Sequence, residues 1–175
     1  MQDAVIGIDP GAHAAAAILR LDAAPTLVYS LTHRFDTVAG AKVTATALVQ
    51  RLLEEAGARG VVILSAAIEE QFVRLNPRAA LTLARSAGRW QEACAVHGLP
   101  VTLVEPSAWQ SKEFGTILRR AVGKDRAVQR CRYLWQAVLG EDAADAALIG
   151  RWHGIQILTA RRQQLALTLQ RARGR

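Results

Sequence analysis

The chain has 175 residues, 51% hydrophobic and 21% charged, a balance that excludes a disordered chain and fits one globular domain with a sizeable core. No apolar run reaches the length of a bilayer crossing, and Asp3 and Asp9 spoil a signal-peptide reading of the first residues, so the expectation is a cytoplasmic protein without a membrane partner. The formal charge of +7 is unevenly spread: residues 1–111 hold 9 Lys/Arg against 10 Asp/Glu, whereas residues 112–175 hold 13 against 5. That asymmetry points to a polyanion contacted mainly by the last third of the chain. Cys94 and Cys131 lie far apart, without a metal-ligand spacing, and read as buried thiols in a reducing compartment.

In chain order, Ala4-Val5-Ile6-Gly7-Ile8-Asp9 is a short apolar run closed by Pro10-Gly11, the pattern of a buried strand ending in a turn. Ala14–Arg20 and Thr26–Leu31 read as two more strands, joined too tightly for anything but an antiparallel meander. Apolar residues at 48, 49, 52, 53 and 56 have a helical period, which predicts a helix over Val43–Ala56 with Gly57 as its stop. Val61–Glu69 is the next buried strand, and the helix before it allows it to lie parallel to the first. Asn76-Pro77 opens a helix that runs to about His97. Val101–Val104 is a short strand, and Pro106 begins a short helix through Trp109.

The segment Glu113–Gly123 reads as an exposed basic loop or a short helix, given Lys112, Arg119, Arg120 and Lys124 around it. Asp125–Leu139 is helical, and so is the chain from Glu141, with a break expected near Gly154. Residues 1–170 are expected to form the domain and 171–175 a frayed basic tail. This order predicts an α/β fold: a mixed five-stranded sheet, three strands antiparallel and two parallel, with helices on both faces. The first and fourth strands are then neighbours about 4.8 Å apart, and Asp9 and Glu69 stand side by side at one edge.

Asp142-Ala143-Ala144-Asp145 supplies a second acidic pair, three residues apart and so on one helix face. Each acidic group has a plain structural alternative: Asp9 as a cap on the Pro-Gly turn, Asp142 and Asp145 as residues favoured near a helix N-terminus. Together the four make an oxygen-only site suited to Mg2+, with Mn2+ as a substitute, and two such ions suit phosphodiester hydrolysis.

Ile6-Gly7-Ile8-Asp9-Pro10-Gly11, Ala67-Ile68-Glu69-Glu70-Gln71-Phe72 and Asp142-Ala143-Ala144-Asp145-Ala146 resemble the motifs of RuvC-type Holliday junction resolvases of the ribonuclease H-like superfamily, in that family's order. Ile68-Glu69-Glu70-Gln71 and Gly123-Lys124-Asp125 are most similar to the small resolvases of phages and prophages. The resemblance implies a ribonuclease H-like fold and a homodimer built on the helix 76–97. It also implies metal-dependent cleavage of four-way DNA junctions into paired nicks with 5′ phosphates, through two ions per active site. It assigns Asp9, Glu69, Asp142 and Asp145 as catalytic metal ligands, with Glu70 as the alternative to Glu69. Phe72 matches an aromatic that stacks on an unpaired base, with a core phenylalanine as the alternative. Lys112 and Lys124 fall near lysines used at the scissile phosphate, and Arg74, Arg119 and Arg120 are further candidate DNA contacts. His153, eight residues past Asp145, reads either as a neighbour of the site or as a surface histidine. Other readings are a related nuclease acting on RNA–DNA hybrids or other branched DNA, and a non-catalytic junction-binding subunit. The residues name no branch-migration helicase partner.

Overall fold

The computed structural model describes residues 1–11, 13–34, 43–70 and 77–173, except the side chains of 34, 77–80, 120, 121 and 173. Among the described residues the elements run β1 (Gln2–Asp9), β2 (His13–Leu21), β3 (Pro25–Arg34), α1 (Ala45–Ala58), β4 (Val61–Glu69), α2 (Pro77–Val96), β5 (Val101–Val104), α3 (Pro106–Phe114), α4 (Arg120–Trp135) and α5 (Glu141–Arg173). The sheet order is β3-β2-β1-β4-β5. The meander β1–β2–β3 is antiparallel, and β4 lies parallel to both β1 and β5. This is the mixed sheet that the sequence predicts.

Strand periodicity assigns the two faces. Ala4, Ile6 and Ile8 point into one apolar layer, closed by Leu48, Val49 and Leu52 of α1 and Trp90 and Ala93 of α2. Val5 points into the other, formed with Trp109 of α3, Ala127 and Cys131 of α4 and Ala143–Ile149 of α5. Gly7 and Asp9 share the parity of Val5 and so face α5. The inward residues of α5 are mainly alanines, and β2 presents Ala15 and Ala17 to them. Small side chains on both surfaces let helix and sheet approach closely.

The closest point is glycine against glycine. A Cβ on Gly7 would overlap the Ala146 carbonyl oxygen and the Gly150 nitrogen, and would lie 2.6 Å from Gly150 Cα. α5 therefore rests on β1 main chain to main chain.

Several element boundaries differ from expectation, for physical reasons. α5 has no break at Gly154 and is helical through Arg173. Gly154 is small because a Cβ there would come within 3 Å of Leu21 and Pro25, so the glycine serves a close contact and not a stop. Likewise α1 passes Gly57 and ends at Arg59; Thr44 caps its start, Oγ1 accepting from Ala47 N at 3.1 Å. α3 continues past Trp109 to Phe114, and α4 begins at Arg120 and stops at Trp135, where Gln136 turns left-handed at φ 54°. Of the segment expected as an exposed basic loop or a short helix, residues 113–114 and 120–123 are helical, 115–119 are not, and Glu113 is buried.

His153 is buried as well, with Nε2 2.8 Å from Ser65 Oγ across α5 and β4. Burial pulls its pKa below the ordinary histidine value. An unfolded chain then takes up this proton at higher pH than the folded one, so the histidine's contribution is present above the unfolded pKa and is lost as pH falls through the folded one. The stability advantage of the wild type over His153→Gln should shrink as pH is lowered from about 7 to about 5, read from denaturant midpoints. A constant difference across that range would refute the buried neutral imidazole. Both cysteines are free and buried, as expected, and burial pushes Cys94 up to about 11.

Candidate active site

The parallel pairing of β1 with β4 sets Ile8 opposite Ile68, so Asp9 and Glu69 follow as neighbours where the two strands end. Glu69 has the parity of Ala67, which packs in the α5 layer, and Glu70 therefore starts out toward the other side. Asp142 and Asp145 come to the same edge from the first turns of α5, held there by the Gly7–Gly150 contact.

Lys124, on α4, joins them. Its Nζ hydrogen-bonds Asp142 Oδ1 and lies 3.0 Å from Asp145 Oδ2 and 3.8 Å from Asp9 Oδ2. Asp9 is 7% exposed, and its Oδ1 accepts from Gly11 N at 3.1 Å, so the turn and the site share one carboxylate. The cap on the Pro-Gly turn is thus present, and the same carboxylate also faces Lys124. Glu69 Oε1 accepts from the indole Nε1–H of Trp109 at 2.9 Å.

The charges perturb one another strongly. Burial raises the Asp145 carboxyl to about 6; Lys124 opposes that shift, and the charges of Asp9 and Asp142 add to it. For Lys124, burial alone favours the neutral amine. The hydrogen bond to Asp142 and the charges of Asp145 and Asp9 outweigh it and hold the ammonium above the ordinary lysine range. Cys131, whose Sγ lies 3.6 Å from the Ala144 carbonyl beneath Asp145, is pushed up to about 12 by burial and by the nearby acids.

Among the described residues, no group of three or more His, Cys, Asp and Glu side chains is arranged as a metal cluster. What the geometry does present is three carboxylates converging on one cation, the Lys124 ammonium, with Glu69 on the adjoining strand end. The donor set is oxygen only, and it carries more negative charge than one lysine neutralises. Hard divalent cations fit such a set in charge and ligand type.

Lys112 is exposed in the last turn of α3, and Arg119 is exposed as the N-cap of α4. Arg120 opens α4, but its side chain lies outside the described residues, as do Phe72 and Arg74 altogether. Sequence reasoning missed Trp109 as a partner of Glu69, and it missed Glu113. The fully buried Glu113 side chain pairs with Arg130 Nε of α4 at 3.3 Å and with Arg151 Nη1 of α5.

No protein-family model and no curated protein matches the chain. Solved structures do. A structure of Thermus thermophilus RuvC superposes with a TM-score of 0.69 at 20% identity, covering 90% of this chain and 96% of that one. The chain has the RuvC fold. T. thermophilus RuvC in complex with a Holliday junction substrate superposes nearly as well, with a TM-score of 0.68 at 19% identity, over 89% and 95% of the two chains.

Proposed function

We propose that this protein is a metal-dependent endonuclease that resolves four-way DNA junctions. The observation that carries the reading is the meeting of Asp9, Asp142, Asp145 and Lys124, with Glu69 alongside, at one edge of a RuvC-like sheet. T. thermophilus RuvC has itself been solved on a Holliday junction substrate, which supports the same class of substrate here.

In this reading Asp9, Glu69, Asp142 and Asp145 hold two Mg2+ ions, with Mn2+ as a substitute. When bound, the ions supply Lewis acidity at the attacking water and at the departing 3′ oxygen. The protein's part is to fix the carboxylates on rigid elements and to hold Lys124 where its charge offsets phosphate. Lys112, Arg119 and Arg120 extend positive charge along α3 and α4 toward the DNA backbone. Phe72 keeps the role that the resemblance implies, stacking on an opened base, and Arg74 remains a candidate DNA contact.

A homodimer presents two sites to opposed strands, its two-fold axis matching that of the junction. The exposed face of α2 supports this arrangement, because Leu81 there is an exposed apolar side chain and Ala84 and Gly88 are small enough for a second helix to lie close. A cytoplasmic setting accords with two free thiols.

The test is cleavage of a labelled four-way junction with a homologous core, with and without Mg2+. Symmetric paired nicks with 5′ phosphates, formed only with metal, are expected. Cleavage of RNA–DNA hybrids in preference to the junction would replace the substrate. Tight junction binding with no cleavage would overturn the enzymatic reading.

A further inference from the structure

We infer that α3 is a positioning bracket for the active site, and that Trp109 aims the Glu69 carboxylate by donating its indole N–H to it. The inference rests on the reading of Glu69 as a metal ligand and adds a residue which that reading does not require.

Trp109 is 2% exposed and packs in the α5 layer, edge to face with Phe114 at 6.0 Å. A buried indole has one N–H and no acceptor, so its hydrogen-bond partner is a choice made by the fold. Here the partner is Glu69 Oε1 at 2.9 Å. A carboxylate has two oxygens in one plane, and a rigid donor that fixes one of them fixes the direction of the other. A ring locked by packing is such a donor.

The same helix reaches the rest of the site. Glu113 stands four residues after Trp109, one turn along α3. Its buried carboxylate binds Arg130 of α4 and Arg151 of α5. Arg130 is six residues from Lys124 on α4, and Arg151 is six residues from Asp145 on α5. Through two side chains one turn apart, α3 therefore ties together β4, α4 and α5, the elements that carry Glu69, Lys124 and the Asp142/Asp145 pair. The two contacts have different tasks: Glu113 fixes helix against helix, and Trp109 fixes one carboxylate.

Trp109→Phe keeps an apolar aromatic ring in the layer and removes the donor, together with part of the buried ring volume. Mn2+ binding to the full chain, measured by titration calorimetry, should weaken by about 10- to 100-fold, the range for lost outer-shell hydrogen bonds to metal ligands. The Mg2+ concentration needed for half-maximal junction nicking should rise by a similar factor, while the rate at saturating Mg2+ stays near that of the wild type. Ile157→Ala, a loss of packing against the same apolar layer twelve residues past Asp145, should lower the unfolding midpoint in EDTA and leave Mn2+ affinity alone. Unchanged Mn2+ affinity in Trp109→Phe would overturn the inference while leaving the metal site standing. So would an equal loss of affinity in Ile157→Ala, because the effect would then be one of packing. Absence of Mn2+ binding by the wild type would instead overturn the metal reading, and the positioning role with it.

Discussion

Asp9→Asn is expected to abolish metal-dependent nicking and to spare junction binding. The substitution keeps the size of a side chain that is 7% exposed, and it keeps an oxygen to accept from Gly11 N, so the turn after β1 survives. What is lost is one negative charge at the point where three carboxylates meet. Charge stabilisation by a bound cation in phosphoryl chemistry is worth several kcal/mol, which corresponds to a fall of about a thousand-fold or more in rate. The fold should not suffer. Asp9 contributes to the raised pKa of Asp145, so its neutralisation relieves crowding, and Asp145 should titrate below its present value of about 6. The measurements are single-turnover nicking in Mg2+ and gel-shift affinity for the junction in EDTA. Nicking at the wild-type rate would remove Asp9 from the site.

Gly7→Ala is expected to damage stability and the site together. The added methyl meets the Ala146 carbonyl and the Gly150 backbone, none of which can rotate away, so α5 must lift or β1 must bend. Overpacking of this kind costs about 1–3 kcal/mol, and sometimes more. Because α5 carries Asp142 and Asp145, the same displacement moves two carboxylates away from Asp9. The expected result is a lower denaturant midpoint accompanied by weaker Mn2+ binding. Gly57→Ala is the matching control: it lies in α1 with nothing within 4 Å of the new Cβ, and should stabilise by about 0.5–1 kcal/mol. A Gly7→Ala protein as stable as the wild type would mean that strand and helix are not in contact there.

The sheet and its acidic edge were legible because they depend on local pattern. An apolar run that ends in an acid and then turns places that acid at a strand end, and a helix between two strands makes them parallel. Those two inferences put Asp9 beside Glu69. What stayed hidden were pairings distant in sequence. Ser65 meets His153 across 88 residues and Trp109 meets Glu69 across 40, and no periodicity reports either contact. Glu113 stayed hidden for the same reason: with Lys112, Arg119 and Arg120 nearby its surroundings read as an exposed basic loop or a short helix, while Arg151, 38 residues on, makes it a buried ion pair. Gly154 misled in another way. A helical glycine signals a stop only when nothing needs its missing side chain, and that depends on Leu21 and Pro25 from another part of the chain.

The length of α5 has a separate consequence. Its 33 residues span about 50 Å, nearly twice the roughly 27 Å of β1 beneath it. From Thr159 to Ala172 every residue is exposed, including Leu165, Leu167 and Leu169. Among the described residues the last contacts back to the meander are Arg161 with Asp3 of β1 at 2.8 Å and Arg162 donating to the Ala23 carbonyl at 3.2 Å, so the overhang begins after Arg162. One helix thus has two thermodynamic regimes. The end that bears Asp142 and Asp145 is clamped to the sheet and shares the stability of the whole molecule, whereas the overhanging end is of a length that is marginal as a helix in water. The overhang can fray, lengthen or change composition without a signal reaching the carboxylates, because the backbone contact at Gly150 lies between them as an anchor. The site is insulated from its own helix.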